Sequence, residues 1–319
     1  MVADNDFLIP DWPDALQQVD IVRTRFVLDF ISPCQVQPAD FLGIGRILRL
    51  VGRQFIDSHD VDAIRQWNAL FQPSLSDDPV ARRKFQKPAP AFVITMPVLR
   101  EKVLDTGDRL ELEVLFIGTG IPLIHDFLRS LVHLGRLGLV NGEGHFEVTE
   151  VLCRESDHSE SLVWRQNEPL EILTCSVQSL SWLFQDVCVA NKVTIKFTTP
   201  TRLMVDSKPL RKPRFSQVLP FMLRRTTSML YAHSGVEVLD DPTYLLGKAH
   251  EVDELEQKLY WHDWRSLTGR QGLVIGGFMG EILLAGPALK EVYWVLAVAS
   301  LLGIGKGATY GAGRIALDL

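Results

Sequence analysis

Apolar and polar positions follow two long cycles along the chain. From Val22 to Pro33 (VRTRFVLDFISP) apolar residues alternate with others at the period of a half-buried strand, and the run breaks at Ser-Pro. Pro38 to Phe55 then carries its apolar residues at helical spacing. Two strand-like runs come next, Ala91 to Leu99 and Leu110 to Ile117, followed by a helical run from Leu123 to Leu137. The cycle closes on GLVNGEGHFEVTEV, a glycine turn leading into a strand. The second cycle opens at Lys192 to Pro200 (KVTIKFTTP) and continues through a helix from Phe215 to Ala232. Strands from Lys258 to Leu267 and Gly272 to Leu284, a helix from Ala288 to Leu301, and GIGKGATYGAGRIALDL complete it.

Strand, helix, strand, strand, helix, strand, twice over, is the split βαβ order. It predicts an α+β chain of tandem ferredoxin-like (RRM-type) βαββαβ domains with antiparallel sheets, over residues 1–155 and 191–319. The connector, residues 156–190, starts with the polar ESDHSES and ends in a Leu/Trp/Phe-rich portion that reads as a helix docked on the body. Such a unit covers one sheet face with two helices and leaves the other face, or an edge, for a partner; RRM modules meet single-stranded RNA there.

Composition narrows the possibilities. At 319 residues, 46% of them hydrophobic, the chain is long enough for two cores. Cys34, Cys153, Cys175 and Cys188 are far apart in sequence and form no CxxC pair or zinc-type cluster, so neither a disulfide framework, a metal nor a cofactor is expected. A reducing cytoplasm fits that usage. The N-terminal MVADNDFLIPDWPD lacks the basic start of a signal peptide, and the longest apolar run, Val292 to Leu302, is too short to span a bilayer. A soluble protein with no membrane partner is therefore expected.

A net charge of −6 argues against coating nucleic acid by global electrostatics, so any RNA site must be local. One segment qualifies: Arg202, Lys208, Arg211, Lys212, Arg214, Arg224 and Arg225 face only Asp206 as counter-charge. Its bland alternative is a solvated loop and helix face. A second feature is the run of Gly303, Gly305, Gly307, Gly311 and Gly313 with Lys306 and Arg314 among them. Glycines at this density let backbone N–H groups approach a phosphate. The spacing is not that of a Walker loop, and the glycines follow a helix instead of opening one, so a nucleotide-binding enzyme is the poorest reading. A tight helix-to-strand turn is the plain alternative. It is favoured for GLVNGEG, where Glu143 would repel phosphate, and disfavoured for the basic C-terminal run.

TIKFTTPTRL, FSQVLPFMLRRTTSML, WHDWRSLTGRQGLVIGGFMGEI and GIGKGATYGAGRI occur in this order at natural spacing. More loosely, the first half contributes GIGRILRLVG, QKPAPAFVI and FLRSLVHLGRLGLVNGEGHFEV. Together these make the chain resemble the Cas-six endoribonucleases of the RAMP superfamily, which cut CRISPR repeat RNA into guide RNAs. The resemblance implies metal-independent cleavage by in-line attack of a ribose 2′-hydroxyl, leaving a 2′,3′-cyclic phosphate and a 5′-hydroxyl. It also implies repeat and guide RNA as partners, with other Cas proteins of an effector complex or a second copy of the chain as further ones. The alternative within the same superfamily is a non-catalytic subunit that holds the guide RNA.

The implied chemistry needs a base, an acid and a cation near the phosphorane, and histidine suits the first two. Many members of that family carry the histidine on or just after the first helix. Pro38 to Phe55 has none; His59, in IDSHD, is the nearest. His233, with Tyr231 in YAHSG, is the second candidate, with helix capping as its plain alternative. By the same resemblance Arg265 and Arg270 would point at RNA, the alternative being an ion pair to the acidic segment Glu251 to Glu256, read as helical. Trp261 and Trp264 suit base stacking or, more commonly, a core. His125, His133 and His262 read as structural.

Overall fold

The computed structural model describes residues 7–54, 60–74, 77, 79–85, 87–95, 97, 100–169, 173–185, 187, 189–265 and 274–318. The amino-terminal unit contains β1 (Asp20–Phe30), α1 (Pro38–Gln54), α2 (Val61–Phe71), β2 (Phe92–Ile94), β3 (Arg109–Ile117), α3 (Ile124–Leu137), β4 (Phe146–Arg154) and β5 (Glu160–Arg165). The carboxy-terminal unit contains β6 (Lys192–Thr201), α4 (Phe215–Ser234), α5 (Thr243–Glu251), β7 (Asp253–Arg265), β8 (Val274–Ala285), α6 (Leu289–Leu302) and β9 (Ile315–Asp318).

The sheet orders are β2-β3-β1-β4-β5 and β7-β8-β6-β9, with antiparallel neighbours throughout. In each unit the first strand is central, between the third and the fourth, as the ferredoxin-like order requires. Strand alternation explains why. On β1, Val22, Phe26, Leu28 and Phe30 enter a core shared with Phe41, Ile44, Phe127 and Leu131 of α1 and α3, while Arg23 and Arg25 stay on the opposite face. On β6, Val193, Ile195 and Phe197 enter a core with Leu219, Met222, Val295 and Leu296 of α4 and α6.

The units are packed into each other. Ile21, Val93, Leu115 and Ile117 from the first sheet belong to the second core, and Trp264, Ile275 and Ala312 from the second unit belong to the first. Trp264 is thereby a core residue. No helix among the described residues is long and apolar enough to cross a membrane.

Three local expectations change. The hairpin partner β5 lies inside the stretch expected to be connector, extending the first sheet by a fifth strand. The aromatic part of the connector is a single 3-10 turn, Leu180–Phe184, which docks by stacking Phe184 on Trp12 with ring centroids 4.7 Å apart. The acidic segment is not one helix: α5 ends at Glu251, and Asp253 begins β7, where Lys258 meets Glu256 at 2.8 Å.

Candidate nucleic-acid interface

β6 is where the site begins. Its register against β8 shifts between Phe197 and Thr201, a bulge at TTPT where Pro200 has no N–H to give the ladder. The glycine-rich segment fills that gap. Gly313 N–H donates to Pro200 O at 3.1 Å, Arg314 N–H to Thr199 Oγ1 at 2.8 Å, and Thr199 Oγ1 to Gly311 O at 2.9 Å. Gly313 has φ +60°, and a Cβ there would lie 1.8 Å from Ile304 O, so only glycine fits.

The segment therefore does two jobs. Gly303, Ala308, Gly311, Ala312 and Gly313 are buried, and Tyr310 lies against Gly45 of α1 and edge-on to Phe92, clasping the two units. Gly305 and Lys306 are exposed. Lys306 N–H donates to Arg202 O at 3.1 Å, which fixes this tip beside the basic segment. The turn reading holds for the buried glycines, while Gly305 and Lys306 stay open at the surface.

The basic segment is a small hairpin followed by a loop. Met204–Val205 pairs with Lys208–Pro209, and Asp206 and Ser207 take positive φ at the turn. Lys208, Arg211, Lys212 and Arg214 are exposed. Arg211 stacks over Trp261 at 4.9 Å, and Trp261 Nε1 donates to Asp263 Oδ1 at 2.9 Å, so this indole carries a guanidinium on its ring. At the start of α4, Phe215 N–H donates to Glu254 Oε2 at 2.8 Å, so a carboxylate of the protein already occupies that helix end.

Between the hairpin, α4 and the glycine tip is a recess of about 220 Å³ lined by Arg202, Leu203, Met204, Phe221, Arg224, Arg225, Gly305 and Lys306. Four lining residues are cationic and none is acidic. Arg224 is exposed over the Phe221 ring at 4.9 Å. Arg225 is buried; its Nη2 donates to Thr309 Oγ1 at 3.2 Å and Leu302 O at 3.4 Å, while its Nε has no partner among the described residues. Burial pushes its pKa down to about 10, which leaves it charged at neutral pH. A buried guanidinium facing no carboxylate is costly unless an anion comes to it.

A second concavity separates the units. Arg23, Arg154 and Arg314 line it together with Glu113 and Glu160. Arg25 on the same strand face is paired with Glu111 at 2.7 Å and with Glu160. Arg23 and Arg154 escaped the sequence reading; the available signal was Arg23 and Arg25 at period two on a strand face with no helix to cover it.

The histidine candidates part company. His59 lies outside the described residues, as does Arg270, and the side chain of Arg265 is not among those described. His233 is 3% exposed, an interior position on α4. Its Nε2–H donates to Ala89 O at 2.8 Å, and its Nδ1 accepts from the Thr119 hydroxyl at 3.0 Å. Both partners belong to the first unit, making His233 an inter-unit latch. Tyr231, one turn before, stacks on Phe85 at 4.2 Å and reinforces the same junction.

Burial pushes the His233 pKa below its ordinary 6.5, the Ala89 hydrogen bond opposes this, and nearby Arg225 adds to it. On acidification the unfolded chain takes this proton first, so the stability due to neutral His233 is present above about pH 6.5 and declines as pH falls below it. Thermal melts between pH 7.5 and 5 are expected to show Tm decreasing over that window, and His233→Gln to flatten the decline. An identical slope in the variant would contradict the latch.

With the geometry in place, comparison with known proteins is informative. Residues 195–315 match the family model described as CRISPR-associated endoribonuclease Cas6, and residues 60–175 match a model described as an N-terminal domain. No curated protein matches. Among solved structures, Thermus thermophilus Cas6 is 18% identical with a TM-score of 0.51, covering 94% of this chain and 99% of its own. A Cas6 product complex is likewise 18% identical, with a TM-score of 0.54 and coverage of 93% and 99%. A partial Cas6-RT-Cas1–Cas2 complex gives a TM-score of 0.58 at 12% identity, covering 94% of this chain but 46% of that one. At these identities the structural likeness is one of fold, and it confirms the tandem ferredoxin-like architecture. Over residues 195–315 the carboxy-terminal unit is thus similar to the CRISPR-associated endoribonuclease Cas6 family, and the whole chain shares the fold of solved Cas6 structures.

Proposed function

We propose that this protein is an endoribonuclease that cleaves CRISPR repeat RNA into guide RNAs, holding the RNA backbone at the recess between α4 and the glycine tip. The observation that carries the reading is Arg225: a buried guanidinium with, among the described residues, no partner for its Nε and no facing carboxylate, behind exposed Arg224 and Lys306. A phosphate supplies the missing charge and acceptor atoms. Arg202, Lys208, Arg211, Lys212 and Arg214 extend the positive surface along which a strand would run.

Cleavage proceeds by attack of a 2′-hydroxyl on the adjacent phosphorus, giving a 2′,3′-cyclic phosphate and a 5′-hydroxyl, without a metal. His59, in the link between α1 and α2, acts as the base, and the recess cations stabilise the phosphorane. The product stays bound through the same backbone contacts, available to other Cas proteins as partners. The burial of His233 keeps one alternative in view, a RAMP subunit that binds guide RNA without cutting it.

Incubating the full chain with a CRISPR repeat transcript in EDTA tests the reading. The expected outcome is one cut per repeat with a cyclic-phosphate end. In His59→Ala, cleavage is expected to fall by roughly 10²–10⁴-fold, the usual worth of a general base, with RNA affinity kept. Tight binding by the wild type with no cleavage would overturn the nuclease in favour of the binding subunit.

A further inference from the structure

Trp261 and Asp263 stand two residues apart on β7 and share one face of the strand, beside the basic loop. The indole Nε1–H donates to Asp263 Oδ1 at 2.9 Å, while the Arg211 guanidinium covers the ring at 4.9 Å. Across the ladder Asp263 faces Gly276, where a Cβ would lie 2.0 Å from Asp263 Oδ1 and 2.9 Å from Trp261 Cζ2. The missing side chain at Gly276 is what gives this pair its room. The loop that carries Arg211 is pinned on both sides of it: Leu210 N–H donates to Leu203 O at 2.9 Å, and Gln257 Nε2 donates to Pro213 O at 2.8 Å. Arg211, Trp261 and Asp263 are therefore held in place before any ligand arrives.

The carboxylate itself is open to solvent, and among the described residues no cation forms an ion pair with it. An open carboxylate beside a phosphate backbone opposes binding through like charge. It favours binding only where it meets a group that donates hydrogen bonds, and in RNA those donors are on the bases and the ribose hydroxyls.

Given the RNA-binding function proposed above, on which this rests, we propose that Asp263 selects one unpaired guanine of the repeat. Of the four RNA bases, guanine offers two adjacent N–H donors, N1–H and N2–H, on its Watson–Crick edge, which match the two oxygens of a carboxylate. Oδ1 keeps an acceptor lone pair besides the one taken by the indole N–H. Adenine, cytosine and uracil each place an acceptor next to their donor, and that acceptor would face the second carboxylate oxygen unfavourably. Arg211 meets the phosphate of the same nucleotide and offsets the charge of Asp263. Trp261 fixes both partners, its N–H orienting the carboxylate and its ring face the guanidinium.

An inosine scan tests this. Each guanosine of the CRISPR repeat transcript is replaced in turn by inosine, which lacks the N2 amine but keeps N1–H, and affinity for the full chain is measured by fluorescence anisotropy. At one position the wild type is expected to lose about tenfold, within the discrimination of a bidentate base contact. Asp263→Asn is isosteric and can still accept from Trp261. It should lose about as much on the unmodified transcript, with no further loss when inosine occupies that position. Its salt slope should match the wild type, whereas Arg211→Ala should reduce the magnitude of that slope by about 0.7. A scan with the same profile in Asp263→Asn as in the wild type would overturn the base contact while leaving RNA binding intact. Failure of the wild type to bind the transcript would overturn both.

Discussion

Reversing two charges at the recess, Lys306→Glu with Arg224→Glu, is expected to weaken binding of repeat RNA on the order of 100-fold at moderate salt. Each lost phosphate contact is worth about tenfold, or about 1.4 kcal/mol, and the new carboxylates add repulsion. The salt dependence should change with it. For a single strand each phosphate contact contributes about 0.7 to the slope of log K against log salt, so losing two should reduce its magnitude by about 1.4. Neither side chain is buried: both are exposed, and Arg224 lies over the Phe221 ring. Tm should therefore stay nearly constant. Fluorescence anisotropy over a salt series checks the claim, and an unchanged slope would place the RNA elsewhere.

Gly313→Ala is expected to cost about 3 kcal/mol of stability. A residue with a Cβ pays roughly 1–2 kcal/mol for left-handed backbone, and overpacking adds roughly 1–3 kcal/mol, here against the fixed Ile304 carbonyl. Gly307→Ala is the internal comparison. Its φ is +82°, but the nearest atom to a Cβ there is the Ala312 Cβ at 3.3 Å, so the backbone term dominates and about 1 kcal/mol is expected. Denaturant melts of the two variants should rank in that order. Equal losses would mean that the Gly313 approach is not a fixed feature of the clasp.

These contrasts show what the sequence made legible. The order of strands and helices was readable because each run has one buried face at its own period, and most element ends fall within a few residues of the expected ones. Helices α2 and α5 and the strand β5 were missed, although Asp60 preceded α2 as an N-cap, accepting from Ala63 N–H at 2.9 Å. The hairpin inside the basic segment was hidden because Asp-Ser occupies a turn where Asn-Gly would be the recognisable signal.

The site was legible in part. On α4 the buried stripe runs through Val218, Met222, Thr226, Met229 and His233, with Arg225 beside it, whereas Arg224 falls on the solvent side. Helical spacing alone could have separated the two arginines and placed His233 in the interior. What no local pattern could give is the identity of its partners, because Ala89 and Thr119 are 144 and 114 residues away. The same holds for the division of the glycine run into clasp and exposed tip, which depends on Tyr310 meeting Gly45 in the other unit.

Photocrosslinking of repeat RNA to the full protein, followed by identification of the attached peptides, tests the central claim most directly. Crosslinks concentrated in residues 202–225 and 303–307 are expected, lost together in the Lys306→Glu and Arg224→Glu double variant. Crosslinks confined to the helical face of the first unit around α3, and indifferent to that variant, would contradict the account.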